Sequence, residues 1–168
     1  MARTDVRVGV NGFKNKPAEE RRIPKITYIS DEDKRKCADD WKREEQFLMA
    51  FPRMLPNALD AIIREYRINV SVLAEDSDLS EKTIERIRTR IDYKPTLPTM
   101  IQLCIGLRVS TVICLTLIEV AGYRFGYTGI DLAYYHIITQ KVGCTLPVCN
   151  EYLISMGYPP LGRIENAA

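Results

Sequence analysis

Apolar residues recur every three or four positions through most of this chain, and this spacing predicts helices. The clearest case is residues 57–66, where Leu59, Ile62, Ile63 and Tyr66 fall on one helical face. An all-α fold class is therefore expected. Other helices are predicted over residues 30–51, within residues 70–90, and over residues 99–107, 110–121, 128–138 and 147–156.

Residues that favour helix ends stand at several of these boundaries. Ser30, Asn57 and Ser110 are suitable N-caps, because their side-chain oxygens can accept a hydrogen bond from a free backbone N–H of the first turn. Residues 128–131, Thr-Gly-Ile-Asp, have the spacing of a capping box. Gly122 can adopt the left-handed conformation that ends many helices, and so predicts the end of helix 110–121.

Residues 70–90 form the most distinctive stretch, which is interpreted as two short helices separated by a sharp turn. Leu73 and Ala74 lie on the inner face of the first helix, and Ile84 and Ile87 lie on the inner face of the second. Ser80 is placed to cap the second helix. This arrangement is typical of a helix-turn-helix, in which the second helix projects its polar residues outward.

The spacing in this stretch resembles that of the Cro and phage-repressor type of helix-turn-helix proteins. The resemblance covers residues 55–123, and the family pattern implies a five-helix domain. Its matching positions are Leu73-Ala74, Leu79-Ser80, Thr83-Ile84-Glu85-Arg86-Ile87 and, downstream, Pro95, Leu97, Met100, Leu103, Leu107, Val109 and Ser110.

Four segments are expected on this basis. A flexible basic arm would occupy residues 1–29, which contain seven basic and three acidic residues, and an N-terminal helix would follow over residues 30–51. Residues 52–124 would form the helix-turn-helix domain. Residues 125–168 would form a small helical extension, either a dimerisation or effector element or a part of the main core.

The resemblance implies a sequence-specific transcriptional regulator that binds double-stranded DNA, with repression as the default and a homodimer as the expected form. Helix 80–90 would enter the major groove by its N-terminal turns. The residues expected nearest the bases are Ser80, Glu81, Lys82, Glu85 and Arg86, and those expected at the phosphates are Thr89, Arg90 and Lys94.

A second hypothesis is that the same scaffold binds a protein, as an adaptor or an antitoxin does, with weak or no DNA binding. Val70 stands where the family commonly has a Gln that contacts DNA. Glu75, Asp76 and Asp78 come just before the second helix, and carboxylates facing phosphates would lower DNA affinity. A protein partner therefore remains an alternative to DNA as the ligand of this scaffold.

Composition limits which other classes of function and location are expected. A net charge of +2 does not by itself indicate nucleic acid, and the single His and five Cys form no recognisable metal or catalytic pattern. No catalytic residue, cofactor or metal is expected, and the protein is not expected to be an enzyme. The apolar stretch 100–122 contains Arg108 near its middle, which disfavours a membrane span. The odd number of Cys and the lack of a signal peptide favour a cytoplasmic location.

Overall fold

A computed structural model describes residues 29–162. The predicted arm at residues 1–29 lies outside the described residues except for its last position. The described residues contain no strand, so the predicted all-α class is confirmed for them. Their helices are α1 (Asp31–Met49), α2 (Leu55–Glu65), α3 (Val70–Ser77), α4 (Glu81–Thr89), α5 (Leu97–Leu107), α6 (Thr111–Val120), α7 (Gly129–Gln140) and α8 (Leu146–Ser155).

The chain divides into two compact units, and the boundary falls inside α1, between Glu44 and Glu45. In the described part of the first unit, Ser30 caps α1 as predicted: its hydroxyl accepts a hydrogen bond from the Asp33 N–H (3.0 Å) and donates to the Asp33 carboxylate (2.6 Å). Asp31, Glu32 and Asp33 occupy the first turn, where the helix dipole favours negative charge.

Helix α5 lies at the centre of the second unit. All eight residues from Met100 to Leu107 are buried, and α5 contacts α3, α6, α7 and α8. A helix that is apolar on every side must be surrounded by protein. Gly106 permits the close approach of α3, because a Cβ atom there would stand 2.8 Å from Ser77 Cβ. Gln102, also buried, donates a hydrogen bond from its side chain to the Ser77 carbonyl (3.0 Å).

Two helix starts differ from the sequence prediction. Helix α2 begins at Leu55, so Asn57 lies within its first turn and does not cap it. The physical reason is Pro56, whose fixed φ and missing N–H suit the first turn of a helix. Helix α5 likewise begins at Leu97 with Pro98 in its first turn, and Thr96 is its cap.

The predicted capping box at residues 128–131 is also wrong. Thr128 stands at the N-cap of α7 but makes no capping hydrogen bond through its side chain. The Asp131 carboxylate instead accepts a hydrogen bond from the Gly126 N–H (3.1 Å), so it fixes the loop before the helix.

The C-terminal helices belong to the same core as α2–α6. Leu146, Cys149 and Leu153 of α8 are buried, and so is Leu161 beyond the helix. Asn150 holds Leu161 in place by accepting a hydrogen bond from its N–H (2.8 Å) and donating one to its carbonyl (3.0 Å). The extension therefore packs on the main core, which was one of the two alternatives left open by the sequence.

Helices α6 and α8 end in the same way. Gly122 and Gly157 have positive φ (87° and 82°), and the N–H groups of Tyr123 and Tyr158 return to carbonyls five residues earlier. The predicted end of the helix at Gly122 is confirmed. Within the described residues, no helix has both the length and the apolar character needed to cross a membrane.

Candidate nucleic-acid interface

Helices α3 and α4 are joined by a three-residue turn whose backbone is closed by hydrogen bonds. Asp78 adopts the left-handed conformation (φ 52°), and its N–H donates to the Glu75 carbonyl (3.2 Å). The Leu79 N–H donates to the Ala74 carbonyl (3.1 Å). Ser80 then caps α4, with its hydroxyl oxygen 3.1 Å from the Thr83 backbone nitrogen. The turn therefore stops one helix and starts the next within three residues.

The inner face of α4 fixes this helix against α2. Ile84 and Ile87 are almost completely buried, at 0% and 1% exposure, and α4 contacts α2 and α3. Arg88 donates to the Asp60 carboxylate of α2 at 2.7 Å, and Arg64 binds the same carboxylate at 2.6 Å. The ion pair between Arg88 and Asp60 is about three-quarters buried on both sides, so it holds α4 more firmly than a fully exposed pair would.

The outer face of α4, its two caps and the loop after it carry the predicted DNA-binding residues. All eight of them are exposed. The side chains of Lys82, Arg86, Arg90 and Lys94 make no hydrogen bond or ion pair with any described residue. Lys82 and Arg86 are four residues apart, which places them on one side of α4, and Arg90 follows at the C-cap. This side thus presents three basic groups that are available to an external ligand.

The other four predicted residues already have partners within the chain. The Ser80 hydroxyl is used in the cap and also lies 2.8 Å from the Thr83 hydroxyl. Glu81 accepts a hydrogen bond from Ser71 of α3 (2.5 Å), and Glu85 pairs with Arg88 (3.4 Å). The Thr89 hydroxyl donates to the Glu85 carbonyl (2.8 Å). The two carboxylates on this helix are therefore partly satisfied before any ligand binds.

The acidic residues of the turn region lie against the C-terminal extension. Glu75, Asp76 and Asp78 line a cleft of about 320 Å³ together with residues of α8 and the segment after it, including Leu161. Asp76 also forms an ion pair with Arg108 (3.0 Å). Part of the acidic charge beside the turn is thus neutralised within the chain.

One helix cap and two side-chain contacts that support this surface were not predicted from the sequence. Asn69 caps α3 by accepting from the Ser71 N–H (2.8 Å), and its type and position before a helix could have revealed it. The bond from Ser71 to Glu81 and the pair of Arg88 with Asp60 join residues far apart in sequence. No local pattern indicates such contacts.

The described residues hold no group of three or more His, Cys, Asp or Glu side chains arranged to bind a metal ion. The five cysteines are free thiols, and His136 is exposed.

Comparison of the chain with protein-family models, curated proteins and solved structures finds no match.

Proposed function

We propose that this protein is a sequence-specific regulator of transcription that binds double-stranded DNA through α4. The observation that carries the proposal is the set of unpaired basic side chains, Lys82, Arg86 and Arg90, along the exposed side of a capped and well-anchored helix. A rigid helix with available basic groups is suited to the major groove, which admits an α-helix. Helices α2–α6 would then be the five-helix domain of the Cro and phage-repressor type.

Each residue of this surface has a proposed role. Arg86 can donate two hydrogen bonds to O6 and N7 of guanine, and Lys82 can donate to the same acceptors. Glu81 and Glu85 can each accept a hydrogen bond from the amino group of cytosine through the carboxylate oxygen that does not bind Ser71 or Arg88. Arg90 and Lys94 would bind phosphates, and the Ser80 and Thr89 hydroxyls would add polar contacts at the edge of the interface.

The proposed active form is a homodimer in the cytoplasm that represses by occupying its site. One helix of nine residues contacts few base pairs, and useful discrimination requires a second copy on an adjacent half-site. Sedimentation of the full chain, with and without its DNA site, measures the oligomeric state.

The primary test is selection of bound sequences from a pool of random duplexes at two salt concentrations. We expect an enriched, roughly palindromic motif whose affinity falls steeply as salt increases, because bound phosphates release counterions. Absence of enrichment together with weak retention at low salt would contradict the proposal.

Two substitutions distinguish base recognition from phosphate binding. Arg86→Ala should cost about 1–3 kcal/mol on the selected site and relax the preference at one position, since a bidentate base contact is lost. Lys94→Ala should weaken all sequences alike and reduce the dependence of log K on log salt by about one unit. Lys141→Ala, which removes a half-buried lysine whose ammonium lies over the Tyr152 ring at the end of α7, is the control for loss of one positive charge away from α4 and should leave DNA affinity unchanged. Equal effects of the first two variants on every sequence would refute this division.

Protein binding is the second candidate function. It is favoured by Val148 and Tyr152, which stand four residues apart on α8 and are each 38% exposed. An adaptor or antitoxin-like protein would retain a stoichiometric protein partner in the absence of nucleic acid, with little dependence on salt. If DNA binding depends steeply on salt, and the full chain is recovered without a stoichiometric protein partner, the regulator is favoured.

A further inference from the structure

A cleft of about 380 Å³ lies between α6, the loop that follows it and the first turns of α7. Its walls are mainly apolar, and four of its lining residues are aromatic: Tyr123, Phe125, Tyr127 and Tyr135. Phe125 and Tyr135 meet edge to face, with ring centroids 5.7 Å apart. Tyr127 is 92% exposed. This volume is within the range of small-molecule sites in proteins.

Polar groups also occur at this cleft. Glu119 and Arg124 line it, and their charged atoms are 3.9 Å apart, both on largely exposed side chains. Such a pair is weak, so either group can exchange its partner for a ligand group. A cleft with aromatic walls, one carboxylate and one guanidinium suits a flat aromatic molecule that carries a hydroxyl or another small polar substituent.

Tyr123 connects this cleft to the proposed DNA-binding surface. Tyr123 is one of the residues that line the cleft, and its hydroxyl donates a hydrogen bond to the Pro95 carbonyl at 2.7 Å. Pro95 is buried and directly follows Lys94, and Thr96 caps α5. A ligand that packs against the Tyr123 ring therefore restrains the loop that carries Lys94.

We propose that this cleft is an effector site for a flat aromatic compound of two or three fused rings, and that its occupancy orders the loop between α4 and α5 through the hydrogen bond from Tyr123 to Pro95. The effect on DNA affinity rests on the proposed function, whereas ligand binding and loop ordering do not. A restrained loop loses less freedom when Lys94 meets a phosphate, so the effector strengthens DNA binding.

Binding is tested with 2-naphthol as the probe, by titration calorimetry and by intermolecular nuclear Overhauser effects to the rings of Phe125 and Tyr127, which line this cleft and not the neighbouring groove. We expect saturable binding at one site, and at least a tenfold loss of affinity in Phe125→Ala. Met156→Ala is the matched control, because Met156 lines the neighbouring groove on α7 and not this cleft, and it should bind normally. No binding up to millimolar probe, or contacts confined to the neighbouring groove, would overturn the effector site.

Coupling is tested by amide hydrogen exchange of residues 90–96 without DNA. Saturating probe should slow exchange there several-fold, and Tyr123→Phe should retain probe binding while abolishing this protection. Tyr135→Phe makes the same chemical change in another residue that lines the cleft, without removing a hydrogen bond to a described residue, so it should behave as the wild type. Protection that persists in Tyr123→Phe would overturn the coupling.

A third measurement separates this inference from the proposed function. If the selection yields a DNA site, saturating probe should raise the affinity of the wild-type protein for that site about fivefold. The affinity of Tyr123→Phe for the same site should not change. If the protein binds no DNA, the calorimetric and exchange results still decide the effector site. Unchanged DNA affinity in the wild type, with DNA binding intact, would overturn the regulatory effect alone.

Discussion

In the described part of the chain, a residue other than glycine adopts the left-handed conformation at the end of three helices, α2, α3 and α5. Arg67, Asp78 and Arg108 have φ values of 51° or 52°, and each stands at or directly after a helix end. This conformation costs an ordinary residue about 1–2 kcal/mol, whereas Asp visits it more readily. Asp78 therefore closes α3 with less strain than either arginine would.

The strain at Arg67 leads to a prediction. Arg67→Gly should raise the free energy of unfolding by about 0.5–1 kcal/mol, because glycine adopts positive φ without a Cβ penalty, less its greater freedom in the unfolded chain. Urea denaturation measures the change. Arg108→Gly is the comparison: its gain should be smaller, since the ion pair with Asp76 is lost. A destabilised Arg67→Gly would indicate that the arginine side chain itself contributes to packing.

Residue type also explains which caps were predictable. Ser30, Ser80 and Ser110 all accept the expected capping hydrogen bonds. Asn57 and Thr128 do not cap: Pro56 starts α2 before Asn57, and the Thr128 side chain makes no capping hydrogen bond although it stands at the N-cap of α7. A capping residue indicates that a helix starts nearby, while neighbouring contacts decide where it starts.

At the scale of elements, the capped start of α4 is the feature most relevant to the proposed interface. Ser80→Ala should cost about 1 kcal/mol in unfolding free energy, because a first-turn N–H loses its partner. Thr145→Ala is the matched control, since Thr145 stands at the N-cap of α8 without a capping bond, and it should change stability little. Denaturation of both variants in parallel tests this. Equal losses would assign the effect to something other than the cap.

Helix α5 illustrates what periodicity can and cannot predict. Its apolar residues indicate a helix, but residues 100–107 are buried on all sides, so no single face indicates its neighbours. By contrast, α2 and α4 each have one buried face, and their orientation toward the core was predictable from Leu59, Ile62, Ile84 and Ile87. The central position of α5 depends on the number of helices that pack around it.

At the scale of the whole molecule, the buried cysteines link stability to alkaline pH. Burial raises the pKa of Cys149 to about 11 from an ordinary value of 9.0, and raises that of Tyr134 as well. The pKa of Cys104 is also raised, chiefly through its contact with Cys114 and then through burial. In each case folding favours the protonated form.

Stability should therefore decline as the pH rises from about 9 to 11. In this window the unfolded chain loses the Cys149 proton while the folded chain retains it, so the free energy of unfolding decreases with pH. Urea denaturation at several pH values under reducing conditions gives the slope. Cys149→Ala should reduce the slope without abolishing it, because Cys104 and Tyr134 keep their raised pKa values. Cys37→Ala, which removes an exposed thiol, should leave the slope unchanged. A slope unaffected by Cys149→Ala would contradict the assignment.

Local chemistry in the sequence determined the all-α class, the two helices of the turn, the cap at Ser80 and the exposed face of α4, because each depends on residues within a few positions of one another. Tertiary structure alone decided the contacts that span the chain. Examples are the pairing of Arg88 with Asp60, the packing of α7 and α8 on the core, and the bond from Tyr123 to Pro95. Such contacts depend on the fold of the whole chain, since residues distant in sequence meet only when the helices between them have packed.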